Sequence, residues 1–197
     1  MAYVIGIAGG SAGGKSTFSE KLRDRLTESG LRTVLISMDS FFKPEAERPF
    51  VLSPVGDRYH VDDNCPDTID WDGYHAALTG AEEDGADVVI CEGLLTLWDR
   101  EYAEKFDLKL FVDCRADERI VRRLKRNMGW GLSFDEVSEV YLDMVRFRHD
   151  AYVEPTKWNA DLIVNGNGDT DKACEMCIGY IRRHFDGGAC PAGNGAR

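Results

Sequence analysis

The stretch Gly9-Gly-Ser-Ala-Gly-Gly14-Lys15-Ser16 restricts this chain more than any other. It completes the pattern G-x-x-x-x-G-K-[ST] between an apolar run, Tyr3–Ala8, and a segment whose Phe18, Leu22 and Leu26 recur at helical spacing. Glycines at the turn let backbone N–H groups point inward around phosphate oxygens without a Cβ clash. The helix that follows adds unsatisfied donors and a partial positive charge at its N-terminus. Gly10, Ser11, Ala12, Gly13, Gly14, Lys15, Ser16 and Thr17 are therefore the expected nucleotide cradle. Lys15 would reach the β- and γ-phosphates of ATP, and the Ser16 hydroxyl would face Mg²⁺.

The same alternation continues along the chain. Candidate strands are Tyr3–Ala8, Thr33–Met38, Ala86–Cys91, Leu108–Cys114 and Asp161–Asn165. Most are continuous apolar runs, which suits strands covered on both faces in a parallel sheet. Between them run amphipathic helices: Trp71, Tyr74, Leu78 and Ala81 mark one, and Ile120, Leu124 and Met128 another. Ser133-Phe-Asp-Glu136 reads as a capping box that opens a helix with Phe134, Val137, Tyr141 and Met144 on one face, limited by Pro155. Cys174, Cys177, Ile178, Ile181 and Phe185 form a last stripe. The expected architecture is an α/β three-layer sandwich with a mostly parallel five-stranded sheet in one domain, 1–186. Two stretches fit no regular element: a long loop at about 43–66, expected to hold substrate, and a glycine-containing lid at about 126–133. The glycine-rich tail 187–197 is expected to be flexible.

Charge and cysteine usage narrow the partners. The net charge is -11 and the isoelectric point about 4.8, which disfavours nucleic acid as a partner. No apolar run approaches the roughly 18 residues of a membrane span, and no basic region precedes the first apolar stretch. Cys91 and Cys114 lie inside apolar runs, and Cys174 and Cys177 fall on a helical stripe, so the thiols read as core side chains in a reducing cytoplasm. A small-molecule substrate is expected, and a homo-oligomer is left open.

Two acidic residues follow strands. Asp39 comes after Thr33–Met38, and Glu92 comes directly after Ala86–Cys91. Ligands of open α/β sheets bind at the carboxyl ends of strands, so Lys15, Asp39 and Glu92 should converge. Hard carboxylate oxygens suit Mg²⁺, and transfer to an alcohol needs a group that takes its proton. A switch GTPase fits less well. Asp70-Trp-Asp-Gly73 follows no apolar strand, and no guanine-reading Asn-Lys-x-Asp occurs. Among Arg119, Arg122, Arg123 and Arg126, the last is the expected phosphate ligand, and the others read mostly as a solvated face.

Together, Ile7–Thr17, Met38–Lys43, Cys65–Asp70, Cys91–Leu95, Leu110–Arg126 and Tyr152–Val164 resemble the uridine kinase family, within the wider phosphoribulokinase and nucleoside kinase group. The resemblance implies a P-loop NTPase fold with a lid and an ATP-dependent kinase. In that reading Ser16, Asp39 and Glu92 surround Mg²⁺, and Asp39 deprotonates a ribose 5′-hydroxyl. Phe42 and Asn64 would lie beside the substrate, and Arg126 matches the first lid arginine. Three positions depart from the family pattern. Met128-Gly-Trp-Gly-Leu-Ser133 replaces a lid Glu-Arg-Gly-Arg, Asn64-Cys-Pro-Asp67 replaces Asp-His-Pro-Asp, and Val140-Tyr141 replaces Gln-Tyr. The acceptor is thus a nucleoside, or alternatively another riboside or small alcohol (nicotinamide riboside- or pantothenate-like). A nucleotide-binding module with little transfer activity is the remaining alternative.

Overall fold

The apolar runs become strands because each feeds two cores at once. In the computed structural model, which describes residues 1–187, the strands are β1 (Tyr3–Gly9), β2 (Thr33–Ser37), β3 (Phe50–Leu52), β4 (Tyr59–Val61), β5 (Val88–Gly93), β6 (Leu108–Asp113) and β7 (Leu162–Asn165). The expectation for the tail, and Cys190 with it, lies outside the described residues. Five strands form one parallel sheet in the order β2-β5-β1-β6-β7. Ile5 and Ile7 of β1, with Val88 and Ile90 of β5, face one core; Val4, Ala8, Val89 and Cys91 face the other. Alternate residues of a pleated strand point to opposite sides, so only an unbroken apolar run satisfies both.

The helices are α1 (Lys15–Glu28), α2 (Trp71–Glu83), α3 (Arg100–Ala103), α4 (Ala116–Gly129), α5 (Phe134–Val140), α6 (Arg146–Arg148) and α7 (Asp171–Phe185). Phe18, Leu22 and Leu26 of α1 and Cys174, Cys177 and Ile181 of α7 cover one face of the sheet. Tyr74 and Leu78 of α2 and Tyr102 and Ala103 of α3 cover the other. Gly30, at φ +93, ends α1 in the left-handed region that glycine tolerates. Asp70 caps α2, accepting from the Gly73 N–H at 3.1 Å, which gives the Asp70–Gly73 pattern a structural role.

Several expectations are corrected. The stretch 43–66 is not irregular throughout: β3 and β4 pair as an antiparallel hairpin, with Phe50 stacked on Tyr59 at 5.5 Å. Both rings are exposed, so no buried periodicity marked them. Glu92 is not past its strand but inside β5, because the chain pairs with β1 through Gly93. Phe134, Met128 and Phe185 are exposed or half-exposed rather than core residues. On α4 the most buried positions are polar, Arg119 and Asn127. The Ser133 capping box is present, but the helix after it is not uniform: π-turns Tyr141–Val145 and His149–Val153 bracket α6. Such turns are uncommon and recur near functional sites.

Candidate active site

The loop between β1 and α1 is tightly folded. Gly13 N–H donates to Gly10 O at 2.9 Å, Ala12 adopts φ +60, and Gly14, at φ +99, caps α1. Lys15 is buried at the first helical position, and among the described residues no carboxylate pairs with it. The Ser16 hydroxyl donates to Glu92 Oε2 at 3.2 Å, and the Ser37 hydroxyl donates to Glu92 Oε1 at 2.6 Å. Glu92 is 3% exposed, so β5 holds a buried carboxylate between the loop and the end of β2.

Asp39 lies on the short turn Met38–Phe41 that follows β2, with its side chain exposed. Met38 is fully buried against Gly93; a Cβ on that glycine would lie 2.3 Å from Met38 Cβ. The missing side chain lets the Asp39 turn press onto β5 one residue from Glu92. Phe42 is half-buried, bridged to Ile69, with the Arg48 guanidinium 5.3 Å from its ring centre. Asn64 is buried, and its backbone N–H donates to Asp62 Oδ1 at 3.0 Å.

Helix α4 reaches the loop through Arg126, the expected phosphate ligand, and also through arginines read mostly as a solvated face. Arg123 donates to the Ser11 hydroxyl at 3.0 Å, and Arg126 contacts the same oxygen at 3.4 Å. Arg119 packs on Gly10 and donates from Nε to Cys114 O at 3.1 Å. Arg122 donates to Gly166 O at 2.8 Å. Positions 119, 122, 123 and 126 share one helical face, and that spacing was the signal available in the sequence. Burial and the neighbouring Arg126 lower the proton affinity of Arg123. Arg126 in turn lies 5.0 Å from the ring centre of Trp130, which caps the C-terminus of α4.

The segment Glu154–Asn159 closes the far side. Lys157 pairs with Asp113 at 2.9 Å and with Glu154 at 3.1 Å, and the hydrogen bond to Asp113 raises its proton affinity. His149, buried, meets Glu154 at 3.3 Å. The hairpin is joined to the helices opposite it. Arg58 pairs with Glu139, His60 meets Asp143 at 3.2 Å, and Ser53 donates to Asp143 O at 3.1 Å.

Among the described residues no cluster of three or more His, Cys, Asp or Glu could hold a metal ion. One buried carboxylate beside one hydroxyl is nevertheless a set of hard oxygens, and Mg²⁺ commonly takes one or two protein ligands plus substrate phosphates. The Ser16 and Glu92 pair fits that requirement. No helix is long and apolar enough to cross a membrane among the described residues.

Comparison with known proteins agrees with this geometry. The model of the phosphoribulokinase / uridine kinase family matches residues 4–72 and 74–173. Uridine kinase of Leuconostoc citreum (strain KM20) is 33% identical, over 88% of this chain and 91% of that protein. Uridine kinase of Bacillus subtilis (strain 168) is 31% identical, over 91% of this chain and 93% of that protein. A crystal structure from Silicibacter sp. TM1040, provisionally named a fructose transport system kinase, shares the fold. Its TM-score is 0.64 at 19% identity, over 82% of this chain and 89% of that one. A glycine-rich loop clamped by α4 arginines, a buried Glu92 and a match spanning nearly every described element lead to one assignment: the chain belongs to the phosphoribulokinase / uridine kinase family.

Proposed function

We propose that this protein transfers the γ-phosphoryl group of ATP to the primary hydroxyl of a nucleoside. The observation that carries the reading is the Glu92 carboxylate held between the Ser16 and Ser37 hydroxyls, beside the Asp39 turn. Loop N–H groups from Gly10 to Thr17 bind the phosphates, and Lys15 neutralises charge on the β- and γ-oxygens. Asp39 takes the acceptor proton as the new P–O bond forms and the bond to the β-phosphate oxygen breaks, releasing ADP. Arg123 and Arg126 steady the developing charge from the other side of Ser11. A bound Mg²⁺ would supply positive charge that offsets the charge of the polyphosphate. Ser16 and Glu92 would hold it, with Asp39 facing the same ion.

Phe42 and Asn64 would line the acceptor site. Asn64 can hydrogen-bond hydroxyls without adding charge. The five free, buried thiols among the described residues suit a cytoplasmic enzyme. The test is phosphate transfer from ATP across nucleosides, other ribosides and pantothenate-like alcohols. Asp39→Asn should keep ATP binding and lose transfer by about 10²–10⁴-fold. Near-normal turnover in that variant removes Asp39 from the mechanism. ATP binding with no accepted alcohol favours a nucleotide-binding module instead.

A further inference from the structure

Among the described residues, one carboxylate outside the phosphate loop is wholly buried. Asp62 follows β4, is 0% exposed, and has its Oδ2 2.6 Å from Nε of Arg148 at the end of α6. Neither atom makes an aligned hydrogen bond, so the contact is coulombic. Its other oxygen accepts the Asn64 N–H at 3.0 Å, and its carbonyl receives the Cys65 thiol at 3.7 Å. Arg148 also lies over the Tyr152 ring at 5.6 Å, and Tyr152 packs edge-on against Trp98, just past β5, at 5.1 Å. Arg148 is therefore held on one side by an aromatic pair anchored beside the strand that carries Glu92. On the other side it is held by the turn that carries Asn64.

A largely buried pair with imperfect alignment gains little stability over apolar residues of the same size. It does fix geometry, because parting the partners leaves the wholly buried Asp62 charge stranded away from water, while Arg148 keeps partial exposure. Asp62 divides its two oxygens between the Asn64 turn and the helical segment after the lid, so the position of one depends on the other. We propose that the Asp62–Arg148 pair is a positioning device for acceptor specificity: it holds Asn64 in register with the lid helices, so that acceptor hydroxyls are gripped only when those helices are seated. The inference rests on the acceptor reading given above for Asn64.

The experiment compares Arg148→Met, Arg148→Lys and the double variant Asp62→Asn/Arg148→Met with the unaltered full chain. Arg148→Met should raise KM for the acceptor by about tenfold while KM for ATP stays within about twofold, the cost of one charged contact transmitted in part. Arg148→Lys should recover most of that loss. The double variant should melt no lower than the unaltered chain and still show the raised acceptor KM. An unchanged acceptor KM in the double variant overturns the proposal, as does an equal rise for both substrates. If the unaltered chain phosphorylates no alcohol, the proposed function fails first. The pair is then judged by hydrogen exchange alone. Arg148→Met should speed exchange of the Asn64 amide, and unchanged protection there overturns the proposal.

Discussion

Removing the charge of Glu92 should stabilise the protein while disabling it. Glu92 is 3% exposed, and among the described residues its only partners are the hydroxyls of Ser16 and Ser37. Among the described residues no cation pairs with it, so folding withdraws a carboxylate from water for two neutral hydrogen bonds. Glutamine keeps the shape and one acceptor oxygen, and either serine hydroxyl can turn to accept from its amide. The gain is about 1–2 kcal/mol, taken from the range for unpaired buried polar groups. For a domain of this size that is a rise of roughly 2–8 °C in Tm. Thermal unfolding of Glu92→Gln without nucleotide or divalent ion reads it directly. Addition of Mg²⁺ and ATP should then raise Tm of the unaltered chain more than that of the variant, because only the former has the carboxylate for the ion. Phosphate transfer should fall by about a hundredfold or more. A variant that melts lower than the unaltered chain refutes the reasoning on stability, and one that keeps its turnover refutes the role of Glu92.

Gly10→Ala should leave the fold intact and impair transfer by roughly a hundredfold, since its Cβ would lie 2.5 Å from Nη1 of Arg119 and displace that buried side chain from the loop. Steady-state kinetics with circular dichroism checks both halves. Stability should fall as pH drops through 6.5, the ordinary histidine value, because burial, foremost, lowers the proton affinity of His75 and His149. The unfolded chain then binds the extra protons, so the stability present above 6.5 is lost below it; melting curves across that pH should show a shallower slope for His149→Phe. Thiol reagents at neutral pH should leave the folded chain unlabelled at Cys91 and Cys177, whose thiols burial pushes up to about 12 and about 11. Labelling should appear only on unfolding, as mass spectrometry would record.

The sheet was legible because its strands are unbroken apolar runs, and their ends were found within a residue or two. The phosphate loop was legible because its glycines and Lys15 are fixed by backbone geometry rather than by distant contacts. The hairpin was not, since Phe50, Leu52 and Tyr59 face solvent and its pairing buries no apolar periodicity. Nor was the placement of Glu92 inside β5, which depends on where the neighbouring strand ends. Apart from Arg126, the arginines of α4 looked mostly like an ordinary solvated face. Their reach to Ser11 and Gly10 is a tertiary fact, although their common face hinted at it. Arg148 and Asp62 carried no signal, being far apart in the chain and on elements of mixed polarity.

The strand carrying the phosphate loop has consequences for synthesis. β1 sits at the centre of the sheet, its register set by Tyr3 against Val88 and by Ile5 against Leu108. Of the five strands of the sheet, β1 is made earliest and waits for both flanking partners, roughly 5–20 s at ordinary translation rates. During that interval an apolar ribbon with two open edges is exposed, and slowing elongation between the codons for Gly9 and Val88 should increase the share of nascent chains that aggregate or recruit chaperones.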